Sequence, residues 1–169
     1  NFQTTNNGFD NSTIVSDIPY WTGASTDSPI TFDNININSG RNFILATVAR
    51  YGGAAKQRIF TTGNQQNNWL LGFWSQKTGV AYNDRWFGNS NTPIDRHNDD
   101  KFLISILEVT GNNAKYHYRF IVDSLPTSTT PTFVVLPDSG TQTYERSGAN
   151  FTINGWDEEK SDWNVAEIL

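Results

Sequence analysis

Apolar residues recur at every second position, or in short β-branched runs, along nearly the whole chain, and the spacing of an amphipathic helix is almost missing. A chain patterned this way can bury its apolar side only in sheets, so it is expected to be all-β with marginal helix. The strongest instance is a hairpin: 102–109 and 116–122 are both strand-like and flank Gly111-Asn112-Asn113, which has the chemistry of a tight turn. Residues 30–37 alternate, and 43–49 form a continuous apolar run suited to a buried strand. Residues 58–62, 69–74 and 79–82 read as a meander divided by polar turns around Gly63-Asn64 and Gln76-Lys77-Thr78. A last pair is expected at 151–154 and 164–168. The polar start of the chain, 1–15, with isolated Phe2, Phe9 and Ile14, reads as an edge strand pairing near the C-terminus or as a loose tail, and 124–132, rich in Pro, Ser and Thr, as a crossover loop. With a turn signal about every ten residues, the expectation is a two-sheet antiparallel sandwich with less than roughly a tenth helix.

Composition narrows the functions open to such a chain. Its 169 residues suit one domain, 1–169. Hydrophobic residues make up only 36% but aromatics reach 14%, so the core should be built from a few large rings. A net charge of −5 without a basic run removes the attraction to phosphate that nucleic-acid binding needs, and no stretch is apolar enough for membrane insertion. The absence of Cys excludes disulfides, thiol nucleophiles and thiolate zinc sites. Abundant Asn, Ser, Thr and Gly with 17% charged residues fit an extracellular, cell-surface or virion-surface protein. No signal peptide is visible and there is no Met, so a mature protein or an excised domain is expected.

Two stretches carry a family resemblance. Phe151-Thr-Ile-Asn-Gly-Trp156 leads through an acidic loop (Asp157, Glu158, Glu159, Asp162) to Trp163-Asn-Val-Ala-Glu167-Ile-Leu169. Mid-chain, Arg58-Ile-Phe-Thr-Thr-Gly63 precedes Trp69-Leu-Leu-Gly72-Phe-Trp74 and Val80-Ala-Tyr82. Over about 40–169 this order resembles the laminin-G-like, concanavalin A-like lectin-glucanase domains. The resemblance implies a jelly-roll sandwich but leaves function open among lectins, adhesion modules, glycanases and structural domains. Glucanases of that fold carry Glu-x-Asp-x-x-Glu on one strand, with the acids about 5 Å apart for a retaining mechanism. That pattern is missing here. The carboxylates of 157–162 flank a turn, a poor scaffold for positioned acids, and read as a solvated loop or as calcium or ligand contacts. His117, between Tyr116 and Tyr118 with Arg119 next, is similar to the Arg, Gln, His and Tyr sets of alginate lyases of this fold. Alternation, however, puts the tyrosines on one face and His117 and Arg119 on the other. His97 lies in a polar loop and reads as solvated, with metal ligation beside Asp95 or Asp99 as the alternative. No Gly-x-Ser-x-Gly elbow is present.

Binding has more support than catalysis. Residues 82–91 leave a strand with an aromatic pair amid amides, an acid and a base. Sugar recognition needs that mixture: a flat ring to stack on the apolar C–H face, and polar side chains for paired hydroxyls. The candidate ligand-binding residues are Asn83, Asp84, Arg85 and Trp86, joined by Asp95, Arg96 and Trp163. Trp86 is the platform, set against its alternative reading as a core residue, and Trp163 a second exposed ring. Trp69, Trp74 and Trp156 are expected in the core or on a sheet face. The loops at 83–91, 95–100 and 157–163 should then converge on one rim. Calcium is the cofactor the resemblance implies; Asp99, Asp157 and Asp162 are its candidate ligands, although no EF-hand spacing is present. The sequence thus reads as a non-catalytic recognition module for a glycan or glycoprotein. Competing classes are a structural or protein-binding module of a surface appendage or virus particle, and a glycan hydrolase or lyase of the same fold. The missing paired acids argue against the enzyme. Nothing in the sequence separates the other two or sets the oligomeric state.

Overall fold

Strands alone make up the regular structure of the described residues, with no helix among them. The computed structural model describes residues 3–4, 19–63, 68–82, 85–86, 95–96, 101–121, 133–137, 140–144 and 150–169. In chain order the strands are β1 (Gln3–Thr4), β2 (Trp21–Gly23), β3 (Ile30–Asn36), β4 (Phe43–Tyr51), β5 (Phe60–Thr62), β6 (Trp69–Leu71), β7 (Lys77–Thr78) and β8 (Val80–Tyr82). They continue with β9 (Arg85–Trp86), β10 (Asp95–Arg96), β11 (Leu103–Thr110), β12 (Asn113–Phe120), β13 (Val134–Leu136), β14 (Gln142–Thr143), β15 (Asn150–Ile153) and β16 (Trp163–Ile168).

Two antiparallel sheets form. The larger runs β1-β2-β16-β4-β11-β12-β13 with β14 added to β12, and the smaller runs β3-β15-β5-β6-β8-β9; β10 and β7 make a separate ribbon. The expected hairpin is β11–β12, closed by a two-residue turn whose Gly111 has φ 58°, a conformation that costs glycine little. The edge strand expected at the start of the chain is β1, separated from the C-terminal β16 only by β2. The crossover loop at 124–132 lies outside the described residues.

Alternation divides each strand between core and exterior. Along β4, Leu45, Thr47, Ala49 and Tyr51 are buried while the residues between them are partly or fully exposed. One core cluster draws on both sheets, with Leu45, Leu103, Leu107 and Tyr116 from the larger facing Phe60, Trp69, Val80 and Phe151 from the smaller, so the sheets form a β-sandwich. Its filling is aromatic, as composition requires: Trp69, Tyr116, Tyr144, Phe60, Phe73 and Phe151 are the largest fully buried side chains. Phe60 stacks on Phe151 at 5.7 Å between centroids, and Trp69 meets Phe151 edge-on at 6.1 Å.

Tyr116 ties the layers together through its hydroxyl, 3.0 Å from Ser105 Oγ and 3.4 Å from Thr78 Oγ1. Burial pushes its pKa up to about 12, only partly offset by those two hydroxyl contacts. The raised value means the native state resists ionisation that the unfolded chain undergoes near pH 10. The stabilisation is complete below pH 10 and is lost as pH climbs toward 12, by about 2–3 kcal/mol at the upper end. Alkaline unfolding followed by near-ultraviolet absorbance should therefore begin above pH 10 for the native protein, and later for Tyr116→Phe.

Candidate functional site

The outer face of the smaller sheet holds the polar and aromatic groups that the core leaves out. Directly opposed residues of an antiparallel ladder share a face, so Thr152, Thr61 and Leu70 form one row, which continues through Ala81 to Trp86. Thr152, Thr61 and Leu70 are buried yet outside the core cluster, and after β15 the chain passes close over Thr152. Gly155 makes that approach feasible. A Cβ there would collide with the Thr152 side chain and lie 3.0 Å from Gly63 Cα, so only glycine fits without a backbone shift.

Above this row sits a pair of opposite charges flanked by tryptophans. Arg58 is only 6% exposed. Its Nε donates to Glu159 Oε2, its Nη1 donates to Asn68 Oδ1, and its guanidinium carbon lies 4.4 Å from the centroid of the Trp156 ring. Trp74 Nε1 donates to both Glu159 oxygens at 3.2 Å. Trp86 packs on Trp74 with 5.7 Å between ring centroids and a 49° tilt, and Lys77 Nζ lies 5.9 Å from the Trp74 ring. Trp74, Trp86 and Trp156 are all half-buried, so each keeps surface open to solvent.

Local sequence explains how each group is held. Trp74 begins a hairpin closed by Ser75 and Gln76, with φ 45° and 63°, and its backbone exchanges hydrogen bonds with Lys77. Left-handed non-glycine residues cost roughly 1–2 kcal/mol each. Tyr51 helps offset that cost: its hydroxyl accepts from Gln76 N at 3.2 Å and donates to Gln57 O at 2.9 Å. The loop bearing Trp156 and Glu159 is clamped at its ends by Asn154, whose Nδ2 donates to Ser161 O at 2.7 Å while its Oδ1 accepts from Ser161 N at 3.0 Å. Asp162 extends the clamp by accepting from Ser25 N at 2.8 Å and Ala55 N at 3.0 Å. Burial acts to raise the Asp162 pKa, but the hydrogen bonds from Ala55, Ser25 and Ala54 outweigh it and hold the carboxyl below its ordinary value.

The sequence-predicted residues fall unevenly on this arrangement. Trp86 lies within it. Arg85, Asp95 and Arg96 are described in backbone only, Asp95 and Arg96 pairing with Thr78 and Lys77 beside the Trp74 turn. Asn83, Asp84, Asp99 and His97 lie outside the described residues. Trp163 is not the exposed ring expected of it: at 3% exposure it is buried, with its edge against Gly23. Alternation along β16 puts it inward opposite Tyr51. Trp74, expected in the core or on a sheet face, is joined by a hydrogen bond to Glu159, from the acidic loop read as solvated or as calcium or ligand contacts. The Arg58–Glu159 link was missed because its partners lie 101 residues apart, and no local pattern carries such a pairing. His117 is half-buried on the outer face of the other sheet, 3.4 Å from Glu108, and the tyrosines beside it are buried, as alternation requires.

Of the candidate calcium ligands, Asp157 and Asp162 are among the described residues and Asp99 is not. Both Asp162 oxygens accept backbone N–H bonds, the Asp157 side chain is 75% exposed and lies 3.4 Å from the Lys160 ammonium, and no group of three or more candidate ligands gathers among the described residues. Comparison with family models, curated proteins and solved structures finds no match.

Proposed function

We propose that this chain is a laminin-G-like, jelly-roll recognition module that binds a glycan without cleaving it, through the outer face of the smaller sheet. The observation that carries the reading is the set of three half-buried tryptophans around the Arg58–Glu159 pair. Indole rings offer flat apolar surface to the C–H face of a sugar, while the neighbouring carboxylate, guanidinium and amide groups satisfy its hydroxyls. The site is already oriented by its internal hydrogen bonds, which lowers the ordering cost of a weak ligand. Glu159 supports binding rather than hydrolysis, because both its oxygens already accept hydrogen bonds from Trp74 and one from Arg58. A retaining or inverting glycosidase needs two carboxyls free to exchange protons or attack carbon. Placement at a cell or particle surface belongs to the same reading.

A glycan array probed with the purified protein, with and without calcium, tests the proposal. The expected result is selective binding to a small set of saccharides, calcium-independent where the tryptophan face alone recognises them, with no release of reducing ends or unsaturated products on prolonged incubation. Cleavage products that disappear in Glu159→Gln would replace the reading with an enzyme. An array blank under both conditions would move it to the structural module.

A further inference from the structure

The larger sheet's outer face is patterned in cross-strand rows that are complementary to themselves. One row reads Glu167, Val48, Ile104, Arg119 across β16, β4, β11 and β12: an acid, two apolar residues and a base. The next reads Leu169, Ala46, Ile106, His117, with Leu169 joined to Ala46 by a reciprocal pair of backbone hydrogen bonds. These positions alternate with buried Leu45, Thr47 and Ala49, so they face away from the core. Ile44 at 66% and Leu169 at 72% exposure are large apolar side chains left in water on this face. Arg119 and Glu167 have no ion-pair partner among the described residues.

We propose that this face joins two copies of the chain back to back. With strands about 4.8 Å apart, Glu167 and Arg119 stand about 14 Å from each other on opposite flanks of the row. A two-fold axis parallel to the strands, between β4 and β11, exchanges β16 with β12 and β4 with β11. It sets Arg119 of each copy over Glu167 of the other and stacks Val48 on Ile104 between the two ion pairs. In the neighbouring row Ala46 meets Ile106, a small residue facing a large one. A two-fold contact uses one patch twice, so a surface whose acid and base occupy mirrored places in one row meets its complement in its own copy. The inference goes beyond the glycan reading and does not depend on it. The tryptophan face lies on the other side of the sandwich and stays open, so the dimer would present two such faces outward.

Sedimentation equilibrium over a range of protein concentrations and salt tests it. The wild-type protein is expected to dimerise, and to dissociate more readily as salt rises. Arg119→Glu and Glu167→Arg should each weaken the dimer at least about tenfold by setting like charges together, and the double variant Arg119→Glu/Glu167→Arg should recover it. Far-ultraviolet spectra of all variants confirm the fold. If a single variant fails to fold, Val48→Glu and the salt dependence of the wild type give the same reading. A wild type that stays monomeric, single variants that dimerise unchanged, or a double variant that fails to recover would each overturn the proposal.

Discussion

Asn154→Ala is expected to destabilise the protein by about 3–4 kcal/mol, the largest effect of any single polar substitution on the described surface of the smaller sheet. Asn154 is 1% exposed, has φ 56°, and exchanges two hydrogen bonds with the backbone of Ser161. Alanine would leave a buried N–H and a buried carbonyl of Ser161 without their partner, at about 1–2 kcal/mol each. It would also hold a left-handed conformation that asparagine tolerates better, at a cost of about 1 kcal/mol. Asn154→Gly separates the two contributions, since glycine recovers the backbone part alone and should be about 1 kcal/mol less harmful. Urea titration reads both variants; an unchanged slope with a shifted midpoint keeps the comparison two-state. Equal losses for alanine and glycine would remove the backbone argument.

Arg58→Ala is expected to cost about 3 kcal/mol. Its guanidinium is almost wholly buried, and its removal strands a carboxylate whose side chain is only 28% exposed. Breaking one partner of such a pair typically costs about 3–5 kcal/mol, and the remaining water contact of Glu159 places this case at the low end. The packing of Arg58 against Trp156 is lost with it. Arg58→Lys keeps the charge without the planar fork that reaches Glu159, Asn68 and the Trp156 ring together, so an intermediate loss of about 1–2 kcal/mol is expected. A change below about 0.5 kcal/mol for Arg58→Ala in urea unfolding would show that the pair does not organise this face.

The long strands were legible because their signal is local. The strands expected at 102–109 and 116–122 and the turn residues between them lie within about twenty positions; the observed hairpin has the same partners but a tighter turn, with the second strand starting at Asn113. β2, β7, β9, β10, β13 and β14 were not foreseen: each is two or three residues long, too short for a period of two to stand out. The candidate site was half legible. Trp86 could be singled out because it leaves a strand amid amides and charges, whereas Trp163 was misplaced for want of the register that turns it inward beside Gly23. Arg58, Trp74, Trp156 and Glu159 come from three separate turns brought over one sheet face, and sheet pairing alone sets that neighbourhood. In sequence Asn154 reads as the end of a strand and Asp162 as part of an acidic loop and a candidate calcium ligand. Their role lies in the backbone groups they meet, at Ser161, Ser25 and Ala55, which side-chain patterns do not encode.

The most direct measurement is calorimetric titration of an array-selected saccharide into the wild-type protein and into Trp86→Ala, with the melting temperature of each recorded beside it. Single-site sugar binding at millimolar affinity corresponds to about −4 kcal/mol, and a stacked ring contributes about 1 kcal/mol, so binding should fall several-fold. Trp86 is half-buried on Trp74 and outside the core cluster, so a melting temperature lower by only a few degrees is expected. Unfolding of the variant would make Trp86 a structural residue, and unchanged binding by a folded variant would place the ligand elsewhere. Either result contradicts the account.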